Sequence, residues 1–249
     1  MRATFQAHES LRVRWQVAEA PEAGSALACA DEAWPRLPFT EHARQALSAS
    51  WDHLDVIRLV IDAGRTFPTG INGVLRGAIV ASALAVWLLG PDNEIDRVER
   101  GLAVSDEWYE RRIRFQRDML AMLTESPADG HAQLEMFRDD QTQLKKRRTT
   151  RLEVQATSII DWSAKYAFGK NTPQHKQSLL EWQRLGGDAH ALGWQLMTQD
   201  VAWEKPPGTL GQQQAHVTGS LSNVSQPYLC AWHMLSVGIR RFDELGTVR

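Results

Sequence analysis

Apolar residues recur at helical spacing along most of this chain. Leu47, Trp51, Leu54, Ile57 and Ile61 fall three or four apart, the period at which side chains share one face of an α-helix. Thr40, after Pro38, is the expected N-cap, and Gly64 and Pro68 end the segment. Residues 69–89 predict a second helix, stopped by Gly90-Pro91. Asp92 is the expected cap of a third, on which Val98, Leu102, Tyr109, Ile113, Leu120 and Leu123 make an apolar stripe between charged faces. After a break at residues 127–130, a fourth helix is predicted over 133–165. Thr172-Pro173 supplies a cap and a first-turn proline for a fifth, with Leu179, Leu180, Trp182 and Leu185 on its apolar face. Gly186-Gly187 is expected to break it, with Asp188 capping a sixth through about residue 200. A last helix is predicted from about residue 227 to 245.

The remainder is less regular. Residues 1–38 read as a partly irregular arm, in which the alternating LRVRW of residues 11–15 suggests a strand. Residues 206–225, rich in Gly, Gln and Ser, predict a polar loop or a short hairpin, with TLGQQQAHVTGSL as the strand pair. The expectation is an all-α protein: a bundle of six or seven helices forming a single domain over residues 39–249. Residues 78–89, AIVASALAVWLL, carry no charge. That run is short of the roughly twenty residues a membrane span needs, so it predicts the central helix of the core and no membrane association.

Composition narrows the function classes. With 28 basic and 30 acidic side chains and a net charge of −2, the chain is not a globally basic nucleic-acid binder, although a local patch is compatible with that balance. Ten tryptophans fit large buried anchors. The two cysteines, Cys29 and Cys230, are far apart and in no metal-ligand spacing. With no apolar signal core at the N-terminus, they point to reduced thiols and a cytoplasmic location. No Gly-rich phosphate loop, zinc-type spacing or HExxH occurs, so no cofactor and no metal are expected.

Among the histidines, His8, His42, His131, His175 and His216 lie in polar contexts and read as solvated, while His53 and His233 adjoin core positions. His190, in EWQRLGGDAHALGWQL, follows Arg184 by six residues. On one continuous helix that offset puts the two side chains about 120° apart and about 9 Å along the axis. A break at the glycine pair lets both face one pocket, beside a helix start at Asp188 that favours an anion.

The segments VLRGAIVASALAVWLLGPDNEIDRVER (residues 74–100) and RLGGDAHALGW resemble a diffuse group of uncharacterised bacterial all-helical proteins, similar in organisation to the HEPN superfamily. In many of its members an arginine precedes a histidine by a few residues, and the pair acts across a dimer as a metal-independent ribonuclease of toxin or phage-defence systems. The resemblance implies His190 as general acid/base, Arg184 as stabiliser of the phosphorane, and a homodimer. The chain departs from that pattern at Leu185, where active members carry a polar residue, at Val80, where the group often has glutamate, and at Ala191, where glycine is common.

The run Lys145, Lys146, Arg147, Arg148 and Arg151 is the candidate contact for RNA phosphates, its alternative being a solvated face balanced by Asp139 and Asp140. Arg97 and Arg100, one turn apart, either bind an anion or pair with Glu94 and Glu99. Two readings therefore stand side by side: a HEPN-like metal-independent ribonuclease, and a non-catalytic binding or regulatory module for a protein partner or small ligand. A third, an enzyme of specialised metabolism with a Trp-lined apolar pocket, has no motif behind it.

Overall fold

The central element is a helix with almost no polar face, and the other elements are arranged to cover it. The computed structural model describes residues 1–15, 17, 19–65, 67–123, 128–189, 201–204, 214–217 and 221–248. Among these, a 3₁₀ turn at Arg2–Thr4 leads into α1 (Phe5–Trp15), α2 (Ala26–Glu32), α3 (Phe39–Asp62), α4 (Pro68–Leu89), α5 (Glu94–Ala121), α6 (Ala128–Arg147), α7 (Ala156–Phe168) and α8 (Pro173–Ala189). Two short antiparallel strands, β1 (Val201–Glu204) and β2 (Gln214–Val217), pair Val201 with Val217, and α9 (Leu221–Gly246) closes the chain. The protein is all-α. Nine helices among the described residues exceed the six or seven expected, because residues 1–38 contribute two and the segment 133–165 is split.

Helix α4 packs against α3, α9, α7 and α8. Leu75, Ala78, Ile79, Ala83, Ala85, Val86, Leu88 and Leu89 are fully buried, and Trp87 nearly so, as the uncharged run predicts. It is the one helix among the described residues long and apolar enough to cross a membrane, and 61% of its apolar window is buried within the protein. The α5–α6 pair carries a smaller cluster of Trp34, Leu102, Tyr109, Phe137 and Leu144.

Several local expectations shift. Thr40 is not the cap of α3: the helix starts at Phe39, and the Thr40 N–H donates to the Asp31 carboxylate at 2.7 Å. The cap of α5 is Asn93 rather than Asp92, its side chain accepting from the Ile95 N–H at 2.9 Å. Thr172 does cap α8, accepting from the His175 N–H at 3.2 Å, but Leu180 is 59% exposed rather than part of the apolar face. The expected long helix over 133–165 stops at Arg147 because Glu99 of α5 accepts from both the N–H and the hydroxyl of Thr149 and of Thr150. Four donors on one carboxylate hold the backbone out of the helical ladder. The strands lie at 201–204 and 214–217, overlapping the predicted hairpin only in part.

Residues 11–15 belong to a helix, not a strand, and α1 docks through a buried polar chain. His8 Nε2 lies 2.7 Å from the Tyr228 hydroxyl, which lies 2.8 Å from the Thr4 hydroxyl. Asp55 is 3.5 Å from His8 Nδ1, and the Trp51 indole N–H donates to the His8 carbonyl at 3.2 Å. His8, His42 and His175 are thus buried, at 1%, 7% and 5% exposure, and not solvated as their polar neighbours in sequence suggested. His42 Nε2 meets the Ser105 hydroxyl at 2.8 Å and His175 Nε2 meets Asp161 at 3.0 Å.

Burial pushes the His42 imidazole down to about 4, and burial also lowers His8 despite the nearby Asp55. Both rings bind a proton less readily in the folded state than the free imidazole does, so the unfolded chain binds more protons below pH 6.5. Stability is therefore lost as pH falls from 6.5 toward 4. By about pH 5, His42 alone accounts for a loss on the order of 2 kcal/mol. Urea unfolding at neutral pH and near pH 5 measures this, and His42→Gln should flatten the dependence.

Candidate functional site

The last carbonyls of an α-helix have no partner within the helix. At the C-terminus of α4 these groups are buried, Arg100 and Arg241 supply donors to two of them, and Arg97 serves the turn that follows. Arg100 Nη1 donates to the Trp87 carbonyl at 2.5 Å, and Arg241 Nε to the Leu89 carbonyl at 3.4 Å. Arg97 Nη1 donates to the Pro91 and Asp92 carbonyls, each at 2.9 Å. The guanidinium of Arg100 also lies over Trp162 at 3.9 Å and Trp87 at 4.9 Å. Trp162 sits so close to Gly90 that an added Cβ would come within 2.7 Å of the ring. Burial pushes Arg100 down to about 10 and lowers Arg97 as well. Both remain cationic at neutral pH, where a positive charge suits a helix C-terminus.

Arg97 and Arg100 are therefore engaged with backbone rather than with Glu94 and Glu99. Burial opposes ionisation of Glu99, but the hydrogen bonds from Thr149 and Thr150 outweigh it and hold its pKa below the ordinary range.

The basic run is engaged in a similar way. Arg148 donates to Asp106 at 2.5 Å and to the Leu152 carbonyl, and Lys145 lies 3.7 Å from the same Asp106. Arg147 donates to the Ala33 carbonyl at 2.6 Å and covers the Trp34 ring. The expected balance by Asp140 is replaced by Asp106, since Asp140 pairs with Arg36. A cleft of about 520 Å³ beside the run is lined by Asp106 and Glu153 as well as by Lys145, Arg148 and Arg151, so its charge is mixed. Lys146 stays exposed at the end of α6.

The pair implied by the HEPN resemblance falls across the limit of the described residues. His190 lies outside them, as do the predicted helix over 188–200 and the side chain of Asp188. The glycine pair does not break the helix: α8 runs through Gly186 and Gly187 to Ala189. Asp188 is thus a residue within a helix and not the cap of a new one. Two glycines lower helix propensity by about 2 kcal/mol relative to alanine, and packing overrides that cost here, since Leu185 and Gly187 are buried.

Arg184 has a structural reason to be where it is. Pro227 lies inside α9 and has no N–H, so the carbonyl four residues earlier loses its helical donor. That carbonyl belongs to Asn223, and Arg184 Nη2 donates to it at 3.0 Å, while Nε donates to Glu181 at 2.9 Å.

Sequence patterns passed over one further arginine. Arg76, in the first half of α4, is half-buried, and its guanidinium lies 5.6 Å from the centre of the Trp182 ring. A Cβ added at Gly186 would stand 3.6 Å from its Nε, an ordinary contact distance, so the side chain passes close to α8 at that point. Neither Arg76 Nε nor Trp182 Nε1 has a hydrogen-bond partner, though both are buried. The only sequence signal for Arg76 was a charge bordering an otherwise uncharged run.

No group of three or more His, Cys, Asp or Glu among the described residues is placed to hold a metal ion. No family model, no curated protein and no solved structure matches this chain.

Substitution separates structural arginines from ligand-binding ones. Arg100→Ala removes a charge-assisted hydrogen bond and two aromatic contacts, and should cost on the order of 3 kcal/mol. Lys146→Ala should stay within about 0.5 kcal/mol of wild type. Denaturant midpoints of the two variants measure the difference. Equal midpoints would return Arg100 to the pool of ligand-binding candidates.

Proposed function

We propose that this chain is a non-catalytic helical binding module, and not a HEPN-like ribonuclease. The observation that carries the reading is the occupation of Arg184 by the Asn223 carbonyl that Pro227 leaves without a donor, together with Glu181. An arginine that must stabilise a phosphorane needs its donors directed at the scissile phosphate. This one directs Nη2 at the Asn223 carbonyl of α9 and Nε at Glu181, and only its buried Nη1 is left without a partner. The continuity of α8 through the glycine pair supports the same reading, because it removes the helix start at Asp188 on which a phosphate pocket would rest. Asp106, shared by Lys145 and Arg148, offsets one positive charge of the candidate RNA track.

The test is incubation of labelled single-stranded RNAs with the protein in EDTA, with His190→Ala and Arg184→Ala beside wild type. The binding-module reading expects no cleavage that depends on His190. It also expects Arg184→Ala to lower the unfolding midpoint, because the part-buried Asn223 carbonyl loses its donor and Glu181 keeps only Gln177. Metal-independent cleavage by wild type, reduced a hundredfold or more in a folded His190→Ala variant, would overturn the reading in favour of the nuclease.

A further inference from the structure

Most buried arginines of this protein are engaged with groups that can be named. Arg100 and Arg241 hold the end of α4, Arg97 holds the turn after it, Arg184 holds α9, and Arg148 holds Asp106, although Arg97, Arg148 and Arg184 each keep one buried nitrogen without a partner. Arg76 differs in making no hydrogen bond at all to the described residues. No carboxylate or carbonyl among the described residues accepts from it, and its one described side-chain contact of this kind is the face of Trp182. The tryptophan across from it likewise has a buried indole N–H without an acceptor. Buried donors in native proteins are nearly always satisfied. Arg76 Nε and Trp182 Nε1, on facing side chains of α4 and α8, are both unsatisfied.

We infer that Arg76 and Trp182 form a binding site for a phosphate group carried by a small ligand. The inference rests on the binding-module reading and names the ligand class for it. Charge sets the sign: an unpaired guanidinium selects an anion. Geometry favours phosphate over carboxylate. The guanidinium lies over the indole ring, whereas the indole N–H points within the ring plane. Two donors in different planes suit a tetrahedral phosphate, whose oxygens point in several directions. A carboxylate offers its oxygens in one plane and fits the fork of a single arginine. Arg184 takes no part, because two residues beyond Trp182 it points about 200° round the helix, toward Asn223.

The experiment follows the Trp182 indole N–H resonance in ¹⁵N-labelled full-length protein, assigned by its loss in Trp182→Phe. Inorganic phosphate is titrated to millimolar concentration, against sodium chloride at matched ionic strength and against acetate. The expected result is a saturable shift with phosphate only. Arg76→Gln should abolish it while circular dichroism shows an intact fold. Trp182→Phe keeps the ring and loses one donor, so calorimetry should find phosphate bound about tenfold more weakly, the equivalent of one hydrogen bond. This second variant carries the test if Arg76→Gln fails to fold. Absence of a saturable shift, or the same shift in Arg76→Gln, would overturn the site. An equal response to acetate would overturn the choice of phosphate. The RNA assay reads a different residue, His190, so failure of this site and failure of the binding-module reading are separately visible.

Discussion

A helix that is apolar all round has to be covered all round, and its last carbonyls have to be satisfied away from water. Helix α4 imposes both demands. The first is met by α3, α7, α8 and α9, whose own apolar stripes converge on it. The second cannot be met by apolar residues at all. It requires donors long enough to reach in from neighbouring helices, and Arg100 and Arg241 provide them. Each carries a flexible stem that packs against apolar surface and a planar head with several N–H groups. Lysine has no comparable fork, and a shorter side chain would not reach. The helix at the centre thus dictates both the apolar faces and the placement of the arginines around its end.

The same requirement explains other polar features of the bundle. Pro227 frees a carbonyl inside α9, and Arg184 satisfies it. Glu99 gathers the N–H and hydroxyl groups of Thr149 and Thr150, ending one helix and setting where the next begins. The His8–Tyr228–Thr4 chain fixes α1 against the core, with burial raising the Tyr228 hydroxyl to about 12 so that it stays protonated. These contacts connect segments far apart in sequence. An unsatisfied buried donor or acceptor costs about 1–3 kcal/mol, so each tie also specifies the packing of the elements it joins.

The functional reading follows from subtraction. A cation used to satisfy backbone or to neutralise a neighbouring carboxylate is not free to meet a ligand. Arg97, Arg100, Arg147, Arg148 and Arg184 are accounted for in this way, whereas Lys146 and Arg151 of the basic run stay exposed. Arg76 is left, on the central helix, against an aromatic ring whose own donor is also unused.

The sequence alone determined what depends on neighbours within about one turn. The apolar period gave the all-α class, the uncharged run gave the buried central helix, and Thr172-Pro173 gave the start of α8. Local rules erred by a residue at Asn93, where two adjacent polar residues compete for one cap. They erred more at residues 11–15, where five alternating residues fit a strand as well as a helix, and at Gly186-Gly187, where packing outweighs propensity. Burial of His8, His42 and His175 was not legible, because a polar sequence context does not report which element will cover a ring. The roles of the arginines were decided only by tertiary structure. The carbonyl that Arg241 satisfies lies 152 positions away, and the one that Arg184 satisfies lies 39 away. Hydrogen bonding acts over about 3 Å, and folding alone sets which distant groups come that close.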